Sequence, residues 1–561
     1  MRKGLFTLIA LLLLVTAGLA GCNSAAPATQ APASAQPTDS AAQPGDGPLT
    51  KYDPPIKIVT MLSSIDPTIK FEGDDSGESN IWTRAYKDEL GIELEFMWVA
   101  NADQGKEKMN LAISSNTLPD IFYVDQLQFE SLVKAGKLAD ITQTYEKYAG
   151  DFMKEVLTRP GSDAALKISS SNGKMYALPY FLNGTDDTKN IWIRYDWLQK
   201  LNLPEPKTLQ DILNIAEAFV KNDPDGNGQA DTIGFPMNSG SLDGSGAGLA
   251  TFLNCLHAYP GIWVKDGDKL VAGQSQAAPM KAGLAKLNEL YSKKIIDQNY
   301  ASLKQDENIL PMIMDNKVGV IFGGLWDGWW PLGDMKVADP NCEWRSYPVL
   351  SADSAPAKGQ THTVMMMRMN VVRAGFEHPE AMIKMANLCN EKMWKSTPEV
   401  FAKYGYDAAG NNPWNLMPVY FEYPGKNLSL YQKTVKALDT GDTSGLNGED
   451  TLIYNWMVDY RDKGDMARWG IWLSYGPDSA CAKMEYYQNN NLYQSNEFYG
   501  NPPQSMVDNN ALLDKLFTDY ALKIISGEYP VDKYDEFVSE WYKQGGQQVT
   551  DDVNAWYSTL K

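Results

Sequence analysis

Two separate stretches of this 561-residue chain alternate short apolar runs with amphipathic patterns, the element order of a parallel α/β sheet. In the first, the spacing predicts strands over 56–61, 92–99 and 121–124, with helices over 81–90 and 106–113. The pattern restarts with a strand at 191–193, a helix capped by Thr208, a helix over 280–291 and a strand over 318–322. The sequence predicts an α/β fold with two sheet-forming lobes, and the Met-rich strand over 364–372 indicates a return to the first.

The N-terminus has the pattern of an export signal. Arg2 and Lys3 precede an uncharged apolar run, Leu5 to Ala20, which is short for a membrane span but suits a signal-peptide core. The run ends in Leu-Ala-Gly-Cys, which resembles the bacterial lipobox and implies cleavage before a lipidated Cys22. A plain secretory signal with an incidental cysteine is the alternative. We expect a signal peptide over 1–21 and, over 22–52, the lipidated cysteine with a flexible tether rich in Ala, Pro and Ser.

The composition of the chain disfavours some classes of binding partner and some kinds of site chemistry. The formal net charge of -20 disfavours nucleic acid, because such a surface repels phosphate backbones. Beyond the N-terminus no run of 18 apolar residues predicts a membrane span. The four later cysteines lie far apart without CxxC spacing, and the three histidines do not pair at zinc-ligand spacing. We therefore expect core thiols rather than disulfides at Cys255, Cys342, Cys389 and Cys481.

Short motifs follow one another along nearly the whole mature chain. They are Leu118–Phe122, Ala135–Leu138, Asp140–Thr142, Gly173–Pro179, Arg194–Leu198, Pro206–Leu209, Asn316–Gly319, Gly323–Trp326, Tyr534–Val538, Gly545–Gly546 and Val553–Tyr557. In this order they resemble family 1 extracellular solute-binding proteins, and the last three resemble the long subfamily that contains LplA-type lipoproteins and alginate-binding proteins. The resemblance implies a two-lobed periplasmic-binding-protein fold of type II that closes by hinge bending around a carbohydrate. It also implies delivery of that carbohydrate to an ABC permease.

The expected division of the chain follows from the resemblance and from the two sheet-forming stretches. We assign 53–180 and about 362–440 to the first lobe, and 181–361 and about 441–561 to the second, with C-terminal helices that could span both. The hinges are expected near Leu178 to Gly184 and near His362.

One acidic loop has the spacing of an EF-hand. Oxygen side chains stand at positions 1, 3, 5 and 9, with a glycine at position 6, and calcium prefers six to eight oxygen ligands. Position 12 is Gly234 rather than glutamate. Alginate-binding relatives resemble this loop but have an acidic tenth position, where this chain has threonine. An Asx-rich turn is the alternative to a structural Ca²⁺ site formed by Asp223, Asp225, Asn227, the Gln229 carbonyl, Asp231 and Thr232.

Sugar binding needs flat apolar faces and placed polar groups. Trp326 follows a pair of glycines where maltose-binding relatives stack sugar, and Asp327 and Trp329 are its neighbours. We expect further ligand contacts at Tyr180, Asp125, Ser63 and Trp469, each of which could instead be a core or loop residue. Arg194, Arg345 and Arg368 are the candidates for local positive charge.

Other functional classes make different demands. A secreted polysaccharide-degrading enzyme would need a carboxylate pair in a cleft, and the chain has acidic residues to supply one but no hydrolase motif. A surface adhesion or sensory lipoprotein could use the same fold. We expect a monomeric binding protein that is not an enzyme and that meets the membrane through its lipid anchor alone.

Overall fold

The computed structural model describes residues 46–65, 69–71, 73–159, 161–182, 184–239, 249–303, 309–406 and 412–560. The strands are β1 (Ile56–Leu62), β2 (Ile92–Val99), β3 (Ile121–Val124), β4 (Ser170–Ser171), β5 (Lys174–Met175), β6 (Ala177–Leu182), β7 (Asn190–Arg194), β8 (Trp263–Asp266), β9 (Lys269–Ala272), β10 (Val320–Gly323), β11 (Trp344–Tyr347), β12 (Gly359–His362), β13 (Met365–Val372) and β14 (Tyr493–Asn496).

The helices are more numerous and lie in every part of the described chain. They are α1 (Ile81–Ala85), α2 (Ala102–Ser115), α3 (Gln126–Lys134), α4 (Thr142–Tyr148), α5 (Asp151–Thr158), α6 (Ser162–Ile168), α7 (Tyr195–Lys200), α8 (Leu209–Asn222), α9 (Leu249–Asn254), α10 (Ala277–Ser292), α11 (Leu310–Met314), α12 (Leu325–Trp329), α13 (Leu332–Ala338), α14 (Glu380–Met393), α15 (Pro398–Tyr404), α16 (Lys426–Thr440), α17 (Gly448–Lys463), α18 (Trp469–Tyr475), α19 (Ala480–Asn489), α20 (Gln504–Ser526), α21 (Lys533–Trp541) and α22 (Gln547–Ser558). Within the described ranges, none has the length and apolarity needed to cross a membrane.

The first sheet combines parallel and antiparallel strands. Strands β1 and β2 are parallel, and β13 lies antiparallel between β3 and β6. Hydrogen bonds join β1 to β3, because the Asp120 N–H donates to the Val59 carbonyl at 2.8 Å and the Thr60 hydroxyl donates to the Ile121 carbonyl at 2.8 Å. These bonds place the pair β2-β1 beside the three-stranded sheet β3-β13-β6, which gives the spatial order β2-β1-β3-β13-β6. Strand β13 departs from the parallel sheet that the sequence predicts, because this distant segment returns antiparallel between β3 and β6.

The second sheet repeats this arrangement. Strand β7 is antiparallel to both β10 and β11. Parallel bridges join Ile233 to Val318 and Phe235 to Ile296, which extends the sheet beyond β10. Each sheet thus has parallel strands on one side of a central antiparallel strand. This two-lobed architecture is the type II fold of periplasmic solute-binding proteins. We name the lobes by their sheets: lobe 1 contains β1 and β13, and lobe 2 contains β7 and β10.

Within the described ranges, the chain passes between the lobes three times. The first passage joins β6 to β7, and the second runs from β11 through β12 to β13. These two touch, because a Cβ built on Gly184 would lie 2.2 Å from the backbone nitrogen and oxygen of His362. Only glycine fits there. The third passage follows Tyr423, whose side chain packs in the lobe-1 core, and precedes Leu428, which packs with Trp192 and Trp344 of lobe 2.

The first lobe was expected to extend to about residue 440, but its last segment ends at the third passage, between Tyr423 and Leu428. Helix α16 contributes Leu428, Leu430 and Tyr431 to the lobe-2 core, so its apolar face fixes it there. The C-terminal helices α20, α21 and α22 likewise place their apolar side chains in the core around β7 and β10. The four cysteines after Cys22 are free and buried, as predicted, and burial raises the pKa of the Cys255 and Cys389 thiols to about 12.

Candidate ligand cleft

The ends of both sheets that adjoin the passages form the candidate cleft. Lobe 1 contributes the carboxyl ends of β1 and β3 and the beginning of β13. Lobe 2 contributes the carboxyl end of β10, where Gly323 lies opposite Asn190 of β7. Because the first passage leads from the end of β6 to the start of β7, these edges adjoin one another. Open α/β sheets bind ligands beyond the carboxyl ends of their strands.

Lobe 1 presents a connected polar cluster at this edge. The Arg368 guanidinium donates through Nη2 to the Ser64 hydroxyl at 2.8 Å and stacks 4.4 Å from the centre of the Tyr123 ring. The Tyr123 hydroxyl accepts a hydrogen bond from the Ser63 N–H at 2.8 Å, and the Trp98 indole donates to the Ser63 hydroxyl at 2.8 Å. Ser63 and Arg368 were predicted from the sequence. Tyr123 and Trp98 were not, because they lie within β3 and β2 and belong to no motif that marks a cleft residue.

Two predicted lobe-1 contacts have structural roles instead. Asp125 caps α3, because its carboxylate accepts the Gln128 N–H at 2.8 Å and the Gln128 side chain reciprocates. Tyr180 is buried in the lobe-1 core, and its hydroxyl donates to Glu422 at 3.2 Å. The expectation that Tyr180 lines the cleft is therefore corrected, because an aromatic ring beside the Tyr420 ring is more stable when removed from water.

Lobe 2 presents an exposed indole at the opposing edge. Trp326 lies in the first turn of α12, directly after β10, and 44% of its surface is exposed. A Cβ built on Gly324 would lie 3.6 Å from the Trp326 ring and 3.7 Å from the Lys189 side chain, so both side chains lie beside the end of β10. Asp327 folds its carboxylate back toward Gly323, so it faces the start of its own helix, where negative charge is favourable. Trp330 is also exposed, at 55%.

The other predicted tryptophans are packed. Trp329 contacts Tyr406 and Trp456, with ring centroids 5.2 and 6.0 Å apart. Trp469 is only 2% exposed and lies in the core beside the Lys336 ammonium group. The prediction of a ligand contact at Trp469 is corrected on this ground, because apolar burial occupies its whole ring.

Buried charges hold the third passage. The Lys426 ammonium group lies 2.9 Å from Glu449 and 3.4 Å from Glu422. Burial lowers the pKa of Lys426, but the two carboxylates outweigh it and the net shift is upward. Asp186, in the first passage, accepts the Gly425 N–H at 2.8 Å. Burial raises the pKa of Asp186 to about 7. These contacts fasten two passages to each other.

In the acidic loop after α8, Asn227 is hydrogen-bonded to two of the other predicted calcium ligands. The Asn227 amide donates to Asp225 at 2.7 Å and to Asp231 at 3.0 Å, and the Gly228 N–H donates to Asp223 at 2.9 Å. Gly226 and Gly228 adopt the positive φ angles that this tight turn requires.

Two oxygens of this loop lack partners. Asp223 Oδ1 and Thr232 Oγ1 are buried without a hydrogen bond among the described residues. Lys317 lies 3.4 Å from Asp231 and offers a competing positive charge. Across the described ranges, no three His, Cys, Asp or Glu side chains are grouped to hold a metal ion. The oxygen donors nevertheless suit calcium in kind, and the orphaned oxygens leave room for a cation as partner.

Comparison with known proteins gives consistent relatives. The chain is 29% identical over 336 residues to the fructooligosaccharide ABC transporter substrate-binding protein FusA of Streptococcus pneumoniae, an alignment spanning 57% of this chain and 56% of FusA. It is 23% identical over 497 residues to lipoprotein LipO of Bacillus subtilis, covering 85% and 89% of the two chains.

Solved structures agree with the fold. The alginate-binding protein AlgQ2 without calcium superposes with a TM-score of 0.60 at 16% identity, over 90% of this chain and 99% of AlgQ2. FusA superposes in complex with kestose, with a TM-score of 0.59 at 18% identity over 90% of this chain and 99% of FusA. An EF-hand mutant of FusA in complex with fructo-nystose superposes with a TM-score of 0.58, at the same identity and coverage.

The family assignment is carried by the body of the chain itself. Residues 72–367, from the region before α1 to the polar cluster at the beginning of β13, match the family described as bacterial extracellular solute-binding protein. That match includes both passages that touch at Gly184 and His362. The chain therefore belongs to the bacterial extracellular solute-binding protein family.

Proposed function

We propose that this protein is the extracytoplasmic binding component of an ABC importer, and that it captures an oligosaccharide between its lobes without transforming it. The observation that carries the proposal is the exposed Trp326 indole at the carboxyl end of β10. Contact between so large an apolar ring and water is unfavourable, and a ligand that covers the ring removes this cost. A sugar ring offers the flat C–H face that an indole covers.

The two lobes have different tasks in this proposal. Lobe 2 supplies the aromatic platform at Trp326, and lobe 1 supplies hydroxyl and guanidinium donors at Ser64, Tyr123 and Arg368. Bending at the passages brings platform and donors onto opposite sides of one sugar chain. The named ligands of FusA, kestose and fructo-nystose, support an oligosaccharide as the cargo class.

Anchoring at the membrane completes the proposed role. Cys22 and the tether up to residue 45 lie outside the described residues, whereas the carbonyls of Pro48 and Thr50 accept hydrogen bonds from Asn387 and Lys384 of α14, so the lipobox pattern is the sequence evidence for the anchor. The alignment with lipoprotein LipO over 85% of this chain supports it. The protein acts as a monomer that docks on its permease after closure.

A structural calcium ion is part of the same proposal. Asp223, Asp225, Asn227, Asp231 and the Gln229 carbonyl would hold it, with the buried oxygens of Asp223 and Thr232 as further donors. The ion would fix the turn between α8 and the strand segment at Ile233. The FusA EF-hand mutant and calcium-free AlgQ2 support this assignment, since both refer to calcium-type sites in proteins of this fold.

Calorimetry on the chain without its signal peptide tests the function. Purified protein is titrated with a panel of neutral and acidic oligosaccharides that includes kestose, and small-angle scattering is recorded with and without each binder. We expect micromolar or tighter binding of at least one compound, together with a smaller radius of gyration. Hydrolysis of a panel member, or absence of binding across it, would contradict the proposal.

A further inference from the structure

One arginine at the cleft edge differs from all others in the described chain. In seven of the eight described arginines, a guanidinium nitrogen lies within 3.8 Å of a carboxylate oxygen. These are Arg84, Arg159, Arg194, Arg345, Arg373, Arg461 and Arg468. Arg368 has no carboxylate partner among the described residues. This is unusual in a chain with 70 acidic and 50 basic residues.

The surroundings hold the Arg368 guanidinium in place without neutralising it. Among the described residues its one hydrogen bond runs from Nη2 to the Ser64 hydroxyl, and the guanidinium carbon lies 4.4 Å from the centre of the Tyr123 ring. A guanidinium carries five N–H donors in a fixed fork, so four remain for another partner. The Ser64 hydroxyl, which already accepts from Arg368, lies 3.2 Å from the Tyr123 hydroxyl. Either hydroxyl can turn its proton toward a bound anion.

The position of the cluster directs these donors at the cleft. Ser63 and Ser64 follow the carboxyl end of β1, Tyr123 is close to the end of β3, and Arg368 stands near the beginning of β13. The neighbouring Met367 is 44% exposed, so the edge is open. A partly buried positive charge without a counter-charge is unfavourable, and a planar anion that accepts two parallel N–H bonds relieves it.

We propose that Arg368, Ser64 and Tyr123 form a subsite for the carboxylate of a sugar acid, so that the cargo is an oligosaccharide containing uronic acid. The inference rests on the proposed function and narrows its substrate class. Of the three candidate arginines, the other two are neutralised: Arg194 by Asp196 and Arg345 by Glu205. Among these candidate arginines, the positive charge available to a ligand is therefore local to Arg368, although the chain as a whole is acidic.

The test compares one oligosaccharide with and without its charge. Trigalacturonate and the same trimer with its carboxyl groups reduced to hydroxymethyl groups are titrated into wild type, Arg368→Gln and Arg368→Lys by calorimetry. We expect wild type to prefer the acid, and Arg368→Gln to bind it about 10- to 100-fold more weakly, as expected for loss of charge-assisted hydrogen bonds. The reduced trimer should bind wild type and Arg368→Gln alike. Arg368→Lys should fall between them, because it keeps the charge but loses the fork.

A matched control separates local from overall charge. Arg461→Gln makes the same change in net charge on an exposed side chain that pairs with the adjacent Asp462. It should leave both affinities unchanged, and melting curves verify that every variant is folded.

Three outcomes overturn the inference. Unchanged affinity of folded Arg368→Gln for trigalacturonate would exclude Arg368 as part of a ligand subsite. Tighter binding of the reduced trimer or of a sulfated oligosaccharide by wild type would exclude a sugar acid as the preferred cargo. Either result leaves the proposed function standing if another oligosaccharide binds. Wild type that binds no oligosaccharide, charged or neutral, overturns both proposals.

Discussion

Replacing Asp186 by asparagine should change how the stability of this protein depends on pH. The carboxyl group is 2% exposed, accepts the Gly425 N–H through one oxygen, and leaves the other oxygen without a partner among the described residues. Burial first, and then the negative charge of Glu422, raise its pKa from 3.8 to about 7, against the backbone hydrogen bonds from Gly425 and Asn427 and the positive charge of Lys426. Cys481 and Tyr493 are its other titratable neighbours, and neither is charged near neutral pH.

The sign of the effect follows from the raised pKa. Below pH 3.8 the carboxyl group is protonated in both the folded and the unfolded chain, so it costs no stability. Between that value and about pH 7 the unfolded chain ionises while the folded chain does not, and the free energy of unfolding falls. Each pH unit in this window costs about 1.4 kcal/mol, so the loss between pH 5 and pH 8 is about 3 kcal/mol. Asp186→Asn stays neutral and escapes this loss.

Urea denaturation followed by tryptophan fluorescence measures the difference. We expect the unfolding free energy of Asp186→Asn, relative to wild type, to rise by about 3 kcal/mol between pH 5 and pH 8. Asp462→Asn is the matched control, because Asp462 is exposed, its pKa is lowered by Arg461, and it does not titrate in this range. Parallel pH profiles for wild type and Asp186→Asn would refute the reasoning, since they would mean that the buried carboxyl group is ionised throughout.

Three further predictions use matched measurements. Trp326→Ala should weaken oligosaccharide binding about thirtyfold with little change in melting temperature. Trp469→Ala, in the core, should instead lose about 3–5 kcal/mol of stability. Equal destabilisation of the two variants would place Trp326 in the core as well. Chelator should lower the melting temperature of wild type but not of Asp225→Ala, and a shift of the same size in both would count against the calcium loop. Mass spectrometry of the native protein should find a lipid on an N-terminal Cys22, and an unmodified cysteine or another cleavage site would exclude the anchor.

Local elements were predictable because their signals are local. The strands over 92–99 and 121–124 agree with β2 and β3, since each is an apolar or alternating run between polar turns. Thr208 caps α8 as predicted, and Asp211 completes a capping box. The antiparallel place of β13 was not predictable in this way, because it pairs with strands nearly 200 and 250 residues away, and no short motif records such a partner.

The candidate site residues also differ in how far the sequence alone could identify them. Trp326, Trp329 and Trp469 look equivalent in sequence, yet the first is 44% exposed and the last 2%. What separates them is whether helices from other parts of the chain cover the ring. Trp329 meets Trp456 of α17, and Trp469 lies against Lys336 of α13, whereas among the described residues no aromatic ring or cation packs on the Trp326 ring, which is 44% exposed. The aromatic composition therefore predicts that rings for sugar stacking are present, but only the tertiary packing shows which of them are exposed.

The buried charges at the passages bear on how such a protein closes. An apolar replacement of the Lys426 pair with Glu449 could be as stable, because desolvation offsets much of the attraction between buried charges. Removing one partner is different, since it leaves the other charge buried and alone at a cost of about 3–5 kcal/mol. Such a network therefore tolerates little change in the separation of its members. Asp186 extends it from the third passage to the first through Gly425, which limits sliding between the two passages. The two passages also lie against each other at Gly184, where a Cβ would meet the His362 backbone and the Thr361 hydroxyl. In the proposed function, bending about this fixed axis is what brings Trp326 and Arg368 to the same sugar.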